Sequence, residues 1–249
     1  MTVINTNIKS LVSQNALNRN SRALANAMEQ LSTGKRINSA ADDAAGLAIS
    51  NKMTSQIRGL NQAVRNANDA VSMIQTVEGA TTEITNMLQR MRELAVQSAN
   101  GTYGTTDRSA LDSEFKQLQG EITRISNMTQ WNGTNVTDDT ATSATFQVGA
   151  NASQSITVVF KDLDGMTGMS AAVHTTSDIA SAGNASTAIS TVDTALQSID
   201  TYRSDLGAKI NRLTYAADNL TNVSTNTAAS RSRIMDTDYA KTTTDLARS

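Results

Sequence analysis

The sequence predicts a mainly α protein, a long antiparallel helical bundle or coiled coil with a small β-hairpin insertion. Apolar residues recur with heptad spacing over long stretches, which is typical of helices that pack along one seam. Proline is absent from all 249 residues, so no long helix is interrupted by a residue without a backbone N–H. Aromatic residues make up only 3% of the chain. A conventional globular core would therefore lack its largest side chains.

The first predicted element is an N-terminal helix that ends near Gly34, a natural helix stop. Its polar face is mostly Asn, Ser and Gln, and its apolar residues form one narrow stripe. Such a helix needs a partner helix, either from the other end of the chain or from another molecule. The stripe comprises Ile4, Ile8, Leu11, Leu17, Leu24 and Leu31.

The second element is a much longer helix. Its seam keeps alternating four- and three-residue spacing from Met53 to Ile74, and resumes it from Val77 to Ala95 after one three-residue step. The pattern predicts a helix from Asp42 to about Asn100, with Ser39 or Asp42 as its cap. Gly79 lies inside this helix, where glycine costs about 1 kcal/mol relative to alanine.

A further helix is predicted in "TDRSALDSEFKQLQGEITRISNM", which carries an apolar stripe from Leu111 to Ile125. Thr106 or Asp107 is its predicted cap. The stretch from Gly101 to Thr105 predicts a turn, which makes this helix an antiparallel neighbour of the long one. A third heptad pattern runs from Ile189 to Ser224 and predicts another long helix.

Between these helices lies a segment rich in Gly, Asn, Thr and Asp. Two strand-like runs, "ATFQVG" and "QSITVVFKDL", joined by "ANAS", predict a β-hairpin with a short loop. The following "MTGMSAAVHTTSDIASAGNAS" is predicted to be exposed loop with weak helical tendency. These patterns divide the chain into a helix and linker at 1–40, helices at 41–129, the insertion at 130–183, a long helix at 184–235 and the start of a last segment at 236–249.

Composition argues against several classes of function. There are 23 acidic and 21 basic residues, so no basic excess favours nucleic acid as a partner. No stretch approaches the roughly 20 apolar residues that span a bilayer, which argues against membrane insertion. Cysteine is absent and His174 is the one histidine. Asp42 and Asp43 are a conceivable metal pair, but carboxylates at a helix start suit its positive end. We therefore expect no catalytic residue, metal ligand or cofactor, and no enzyme activity.

Several stretches together resemble a known family, bacterial flagellin. They are "MTVINTNIKSLVSQNALNRN", "LSTGKRINSAADDAAGLAISNKMTSQIRGLNQAVRNANDAVSMIQTVEGA", "LQRMRELAVQSANGTYG", "NGT…FQVGANASQSI" and "SRIMDTDYAKTTTDLARS", in this order from end to end. The resemblance implies a subunit of the extracellular flagellar filament, a helical homo-oligomer. It also implies export through the flagellar type III pathway with an export chaperone, and polymerisation beneath a filament cap. It further implies that the two chain ends, 1–40 and 236–249, form an inner-core coiled coil in which the N-terminal apolar stripe serves assembly. The helices at 41–129 and 184–235 would form the outer core.

The sequence departs from the family pattern in two ways. The insertion at 130–183 is minimal, so large variable outer domains are missing. The family also continues for several helical turns beyond "DLARS", whereas this chain stops at Ser249. We therefore expect a truncated chain or an unusual paralogue, which as a monomer has frayed ends and polymerises poorly.

The stretch "LQRMRELAVQSANGTYG" places Arg90, Arg92 and Glu93 beside the apolar seam. Spacing alone favours an ordinary solvated helix face. The resemblance implies instead a surface that binds host Toll-like receptor 5 and, in the filament, a neighbouring protofilament. Arg90 would offer a fork of donors and Leu94 apolar area one turn on, a combination found at interface hot spots. The residues that map to this receptor and protofilament surface are Gln89, Arg90, Glu93, Leu94, Gln97 and Glu114.

Two other functions stay open at this stage. A hook-filament junction protein shares the terminal helices but not usually the full set of motifs quoted above. A secreted helical effector or adhesin would explain the heptads without polymerisation. Microscopy of the native gene product separates these from a filament subunit, since only the last forms long filaments.

Overall fold

The computed structural model describes residues 7–138, 143–173 and 177–248, and the predicted mainly α fold is confirmed. Ile4 and His174 lie outside the described residues. Two antiparallel strand pairs accompany the helices: β1 (Gln130–Trp131) with β2 (Thr134–Asn135), and β3 (Ser143–Gln147) with β4 (Ser155–Val159). The helices are α1 (Ile8–Thr33), α2 (Ala44–Ala99), α3 (Thr105–Met128), α4 (Met169–Val173), α5 (Ala182–Met235) and α6 (Tyr239–Arg248).

The chain forms two compact units. The central unit comprises Gln62–Leu220, and the terminal unit combines the residues up to Asn61 with those from Thr221 onward. Each unit therefore receives part of α2 and part of α5. The five-segment division made from the sequence stays a prediction, because it separates the chain by element and not by packing.

In the central unit, α2, α3 and α5 pack around one apolar core. The predicted seam of α2 beyond Ile74 is fully buried at every position, including Thr81. Phe115 and Ile122 of α3 are buried in the same core, as are seam residues of α5 such as Leu206. Gly79 does not interrupt α2, because neighbouring turns on both sides are held by buried side chains. The buried residues in the part of the α2 seam beyond Ile74 are Val77, Thr81, Ile84, Leu88, Met91 and Ala95.

In the terminal unit, polar contacts show that α2 and α5 run antiparallel. Arg231 of α5 donates to the Thr54 hydroxyl of α2 at 3.3 Å. One heptad later on α2 and one heptad earlier on α5, the buried Ser224 hydroxyl donates to Asn61 Oδ1 at 2.9 Å. Ser224 is the last position of the heptad pattern predicted for α5, and this bond satisfies its hydroxyl.

Both predicted caps are corrected by the structure. Helix α2 begins at Ala44, and its cap is Asp43, whose Oδ1 accepts the Gly46 N–H at 2.8 Å. Neither Ser39 nor Asp42 caps it. Helix α3 begins at Thr105, earlier than predicted, because Asp107 accepts the N–H of Gly104 at 3.0 Å from inside the first turn.

The predicted hairpin of β3 and β4 is present, but its loop is longer than "ANAS". The strands pair from Ser143 with Val159 to Gln147 with Ser155, and the Val148 N–H then donates to Gln154 O at 2.8 Å. The Gln154 side chain accepts the Asn151 N–H at 3.0 Å and closes the loop from within. Side-chain amides therefore extend the turn beyond the predicted four residues.

The segment after the hairpin was predicted to be exposed loop, and this is wrong for most of its apolar residues. Met169, Ala172, Val173 and Ile179 are all buried. The buried Gln119 amide of α3 donates to Ala172 O at 2.8 Å and to Ser177 O at 3.0 Å. Sequence periodicity missed this packing because the segment is held by side chain-to-backbone bonds and has no regular repeat.

We predict opposite effects of alanine at two helical glycines. A Cβ on Gly46 would collide with the Asp43 carboxylate and lie 2.7 Å from Ile37 Cδ1, which is buried. Gly46→Ala should therefore destabilise the protein by about 1–2 kcal/mol, because the clash and weakened cap outweigh the gain in helix propensity. Gly79→Ala should stabilise it by up to about 1 kcal/mol, since a Cβ there meets nothing within 4 Å. Urea unfolding of both variants checks the signs; destabilisation by Gly79→Ala would contradict the account.

Candidate functional site

Arg90 is the centre of the charged group on α2. Its Nε lies 2.9 Å from Glu114 Oε1 on α3, and its Nη1 lies 3.0 Å from Glu93 Oε2 on the next turn of α2. The antiparallel pairing predicted for these two helices is what brings Glu114 within reach. Hydrogen bonds to Glu114 and then Glu93 raise the pKa of Arg90 above its ordinary value. All three side chains are about half exposed or more, so the cluster is hydrogen-bonded internally and still accessible.

Arg92 points to a different partner. Its Nε lies 2.6 Å from Asp193 Oδ1 of α5, and the hydrogen bond to this carboxylate raises the pKa of Arg92. Arg90 and Arg92 therefore connect α2 to α3 and to α5, one on each side of the seam. The charges that crowd this stretch of sequence are paired within the chain.

Leu94 does not lie on this surface, so the interpretation of Leu94 as accessible apolar area is wrong. Its side chain is 0% exposed and belongs to the core of the central unit. The reason is that α2 packs against two helices here, so the neighbouring positions Leu94 and Ala95 are both buried. The apolar side chain that is accessible on this stretch is Val96, which is 49% exposed.

The other predicted surface residues surround Val96. Gln89, Glu93 and Gln97 line a shallow groove with Val96 and Arg92. Gln97 also donates to the Tyr103 hydroxyl at 3.1 Å, which fixes the amide beside the turn between α2 and α3. The surface thus contains a small apolar patch enclosed by amides and paired charges. Sequence reasoning missed Val96 because it lies next to a seam position.

The turn that positions this surface is held by Arg108 of α3. Its guanidinium donates to Ser98 O at 2.8 Å and to Asn100 O at 3.1 Å. Ser98 lies in the last turn of α2 and Asn100 directly follows the helix, where no further helical N–H binds these carbonyls. The bonds therefore fix the end of α2 against the start of α3.

A second candidate surface is the apolar stripe of α1. Ile8, Leu11, Leu17 and Leu24 are between 39% and 66% exposed, and Leu31 is half-buried. Met28 and Val12, which the sequence interpretation did not include, are also exposed. Helix α6 packs beside α1, with Ala27 and Thr242 buried between them. The predicted partner from the other chain end is thus present, but most of the stripe stays uncovered within the described residues.

The linkers of the two chain ends are paired with each other. The Arg36 N–H donates to Met235 O at 2.7 Å, and the Thr237 N–H donates to Gly34 O at 3.1 Å. The Arg36 guanidinium also donates to Ile234 O, at 2.7 Å from Nη2. The two bonds from Arg36 satisfy terminal carbonyls of α5. They hold the segments that lead into α1 and α6 side by side.

Asp42 and Asp43 have structural partners. Asp43 caps α2, and Asp42 Oδ2 accepts the N–H groups of Asn38 and Ser39 at 3.0 and 2.8 Å. These backbone hydrogen bonds, that from Ser39 being the stronger, lower the pKa of Asp42. Among the described residues, no group of three His, Cys, Asp or Glu side chains could hold a metal ion. The described helices also include none that is long and apolar enough to cross a membrane.

Long heptad helices, paired chain ends and an uncovered apolar stripe together define a helical structural protein. Residues 4–142 match the family described as the bacterial flagellin N-terminal helical region, and residues 189–249 match the bacterial flagellin C-terminal helical region. The chain belongs to the bacterial flagellin family. Membership implies a subunit of the flagellar filament, an extracellular structure that serves motility.

Individual relatives agree with this assignment. A flagellin of Halalkalibacterium halodurans is 45% identical over 249 residues, covering 99% of this chain and 90% of that protein. Flagellin A of Vibrio cholerae is 34% identical, covering 99% of this chain and 92% of that protein. The crystal structure of Bacillus cereus flagellin superposes with a TM-score of 0.57 at 34% identity, covering 67% of this chain and 94% of that one.

A structure described as a flagellar hook-associated protein from Vibrio parahaemolyticus has the same fold. It superposes with a TM-score of 0.67, covering 78% of this chain and all of that one, but the sequences are only 13% identical. Similarity at this level shows the fold alone.

We predict that the linker before α2 loosens in acid through Asp42. Because hydrogen bonding lowers its folded-state pKa below the ordinary 3.8, its contribution to stability is present above pH 3.8 and is lost as pH falls through the lower folded value. The backbone N–H groups of Asn38 and Ser39 should therefore be protected from hydrogen exchange above pH 3.8. They should lose this protection as the pH falls through the folded-state pKa of Asp42. Asp42→Ala should show weak protection at every pH. The control Asp69→Ala, on the exposed face of α2, should behave as the parent does. If the Asp42→Ala variant protected these N–H groups as well as the parent protein does, the role assigned to Asp42 would be contradicted.

Proposed function

We propose that this filament subunit assembles through the exposed stripe of α1, after export by the flagellar type III pathway with an export chaperone and beneath a filament cap. The observation that carries the proposal is the exposure of the stripe on an ordered helix. Burying such side chains stabilises a protein by about 25 cal/mol per Å² of apolar surface. The monomer lacks this stabilisation along most of α1. A helical homo-oligomer would recover this free energy by placing copies of the stripe together, with α6 contributing beside it.

We propose further that the surface around Arg90 has two uses, in contact with a neighbouring protofilament and in recognition by host Toll-like receptor 5. The Arg90 cluster and Val96 support this proposal, since ordered charges around a small apolar patch suit an interface. Leu94 is excluded from direct contact by its burial, so Val96 takes its place. Because one surface cannot serve both partners at once, receptor binding would require the free subunit.

The observations favour a filament subunit over the other two candidates. The fold does not separate it from a hook-filament junction protein, since a hook-associated protein has the same fold. The sequence does favour it, because whole-chain identity to a flagellin reaches 45%. A secreted effector or adhesin would leave unexplained why the chain ends are paired and why α1 keeps an uncovered stripe.

We predict that polar substitution of the stripe prevents assembly without unfolding the subunit. Leu17→Asn replaces a side chain that is 66% exposed, so the stability of the folded monomer should change little. In the filament, every copy would lose an apolar contact with its neighbours. The native gene carrying this substitution, expressed in a strain without its own flagellin, should give few or no filaments in negative-stain micrographs, whereas the unsubstituted native gene should give filaments. The control Asn18→Ser, at the next and exposed position of α1, should give filaments as the parent does. Normal filaments from Leu17→Asn would contradict the proposed role of the stripe.

We predict that replacing Arg90 and Glu114 together by alanine reduces both assembly and receptor signalling. The change removes the paired charges but leaves the core intact, because both side chains are about half exposed and exposed ion pairs stabilise little. Filament yield and signalling by soluble subunits in receptor-expressing cells are the two measurements.

The matched control for that experiment is Glu121→Ala with Arg124→Ala. This pair lies on α3, is exposed to a similar extent and joins the two side chains at 2.5 Å. It should change neither readout. If the Arg90 and Glu114 variant leaves both assembly and signalling unchanged, the proposed surface is refuted.

A further inference from the structure

The two-residue turn between β1 and β2 is formed by Asn132 and Gly133. Both residues have positive φ, 50° and 78°, which defines a type I′ turn. Asn-Gly is the sequence that this turn prefers, because asparagine tolerates the left-handed region and glycine occupies it freely. The pairing of Trp131 with Thr134 closes the hairpin.

We infer that Asn132 is a site of spontaneous deamidation, and that the fold directs this reaction to Asn132 in preference to Asn100. In the first step the Gly133 backbone nitrogen attacks Asn132 Cγ. A C–N bond forms, the bond from Cγ to the side-chain nitrogen breaks, and that nitrogen leaves as ammonia with the proton from Gly133. Water then opens the cyclic imide at either carbonyl. The products are aspartate or isoaspartate, and the net reaction consumes one water and releases one ammonia without oxidation or reduction.

The turn makes the attack accessible. Asn132 and Gly133 are both exposed, and no hydrogen bond joins the Asn132 carbonyl or the Gly133 N–H to another described residue. A flip of this one peptide plane converts a type I′ turn into a type II′ turn, in which only the first central residue keeps positive φ. That flip turns the Gly133 nitrogen towards the Asn132 side chain. Glycine also presents no Cβ to hinder its approach.

The chain contains one other Asn-Gly sequence, at Asn100 and Gly101, and there the peptide plane is held. The Asn100 carbonyl accepts the Arg108 guanidinium at 3.1 Å and the Tyr103 N–H at 3.4 Å. Asn100 Oδ1 also accepts the Thr102 N–H at 3.4 Å. Rotating this plane into the geometry for attack breaks the bond from Arg108. The shared sequence Asn-Gly-Thr therefore has different reactivity at its two positions in the folded chain.

The isoaspartate product would disrupt the hairpin. Its backbone runs through the side-chain carbon and adds one atom between Trp131 and Gly133, which a two-residue turn in this register does not accommodate. The base of the hairpin is anchored separately, since Ser126 and Thr137 bond reciprocally through their hydroxyls and carbonyls. The change is thus confined to the tip, where Trp131, the one tryptophan of the chain, reports it by fluorescence.

The test is peptide mapping of the folded protein after incubation at mildly alkaline pH, with aspartate and isoaspartate quantified at both Asn-Gly sequences. Asn132 should convert about tenfold faster than Asn100, the rate ratio expected when one site must break an extra hydrogen bond. In concentrated urea the two rates should become similar, since both sites share the sequence Asn-Gly-Thr. Equal native rates, or faster conversion of Asn100, would overturn the inference.

Two variants separate the causes. Arg108→Ala should raise the native rate at Asn100 towards that at Asn132 and leave the rate at Asn132 unchanged. Asn132→Asp carries the new charge without the extra backbone atom, so its Trp131 fluorescence should match that of fresh protein, whereas aged protein should differ. If Arg108→Ala left the deamidation rate of Asn100 unchanged, the proposal that Arg108 protects Asn100 would be contradicted. If an aged sample rich in isoaspartate kept the Trp131 fluorescence of fresh protein, the proposed effect on the hairpin would be contradicted.

Discussion

Burial of the α2 seam against both α3 and α5 is the constraint on which the central unit depends. Two partners make the buried face of α2 wide, so that the adjacent positions Leu94 and Ala95 both lie in the core. The same geometry leaves Arg90 and Arg92 on the two margins of the seam, where each meets an acidic residue of a different helix. The candidate surface is therefore a consequence of the packing. Changing the width of the seam would change which side chains a partner could reach.

Side-chain hydrogen bonds to backbone atoms, and not apolar contacts alone, attach the insertion to this bundle. Gln119 binds the backbone on both sides of the segment after α4, and Asp112 Oδ1 accepts the Ile179 N–H at 3.0 Å. Buried polar groups of this kind are costly unless satisfied, and here they bind the carbonyls of Ala172 and Ser177 and the N–H of Ile179. The small insertion thus becomes part of the core of the central unit.

The long helices could be predicted from the sequence because heptad spacing is a property of many residues at once. The ends of α2 at Ala44 and Ala99 lie within two residues of the predicted ends. Caps, in contrast, depend on the orientation of single side chains: Asp42 and Asp43 are equivalent in pattern, yet one bonds backward to the linker and the other forward to the helix. The tight turn at Asn132 and Gly133 carried a local signal that heptad counting does not use. Burial of Leu94 depended on how many helices meet α2, which periodicity along one helix does not specify.

The pairing of Arg90 also bears on what any partner would meet. With Glu93 and Glu114 both bound to it, the cluster carries one net negative charge, and its three side chains are already ordered. A partner that approaches it does not bind a bare guanidinium, so it gains more from donors directed at the outer carboxylate oxygens than from a competing carboxylate. Ordering the cluster in advance lowers the conformational entropy lost on binding. If the proposed surface does bind a partner, the charge of the cluster would favour one that presents basic or amide donors.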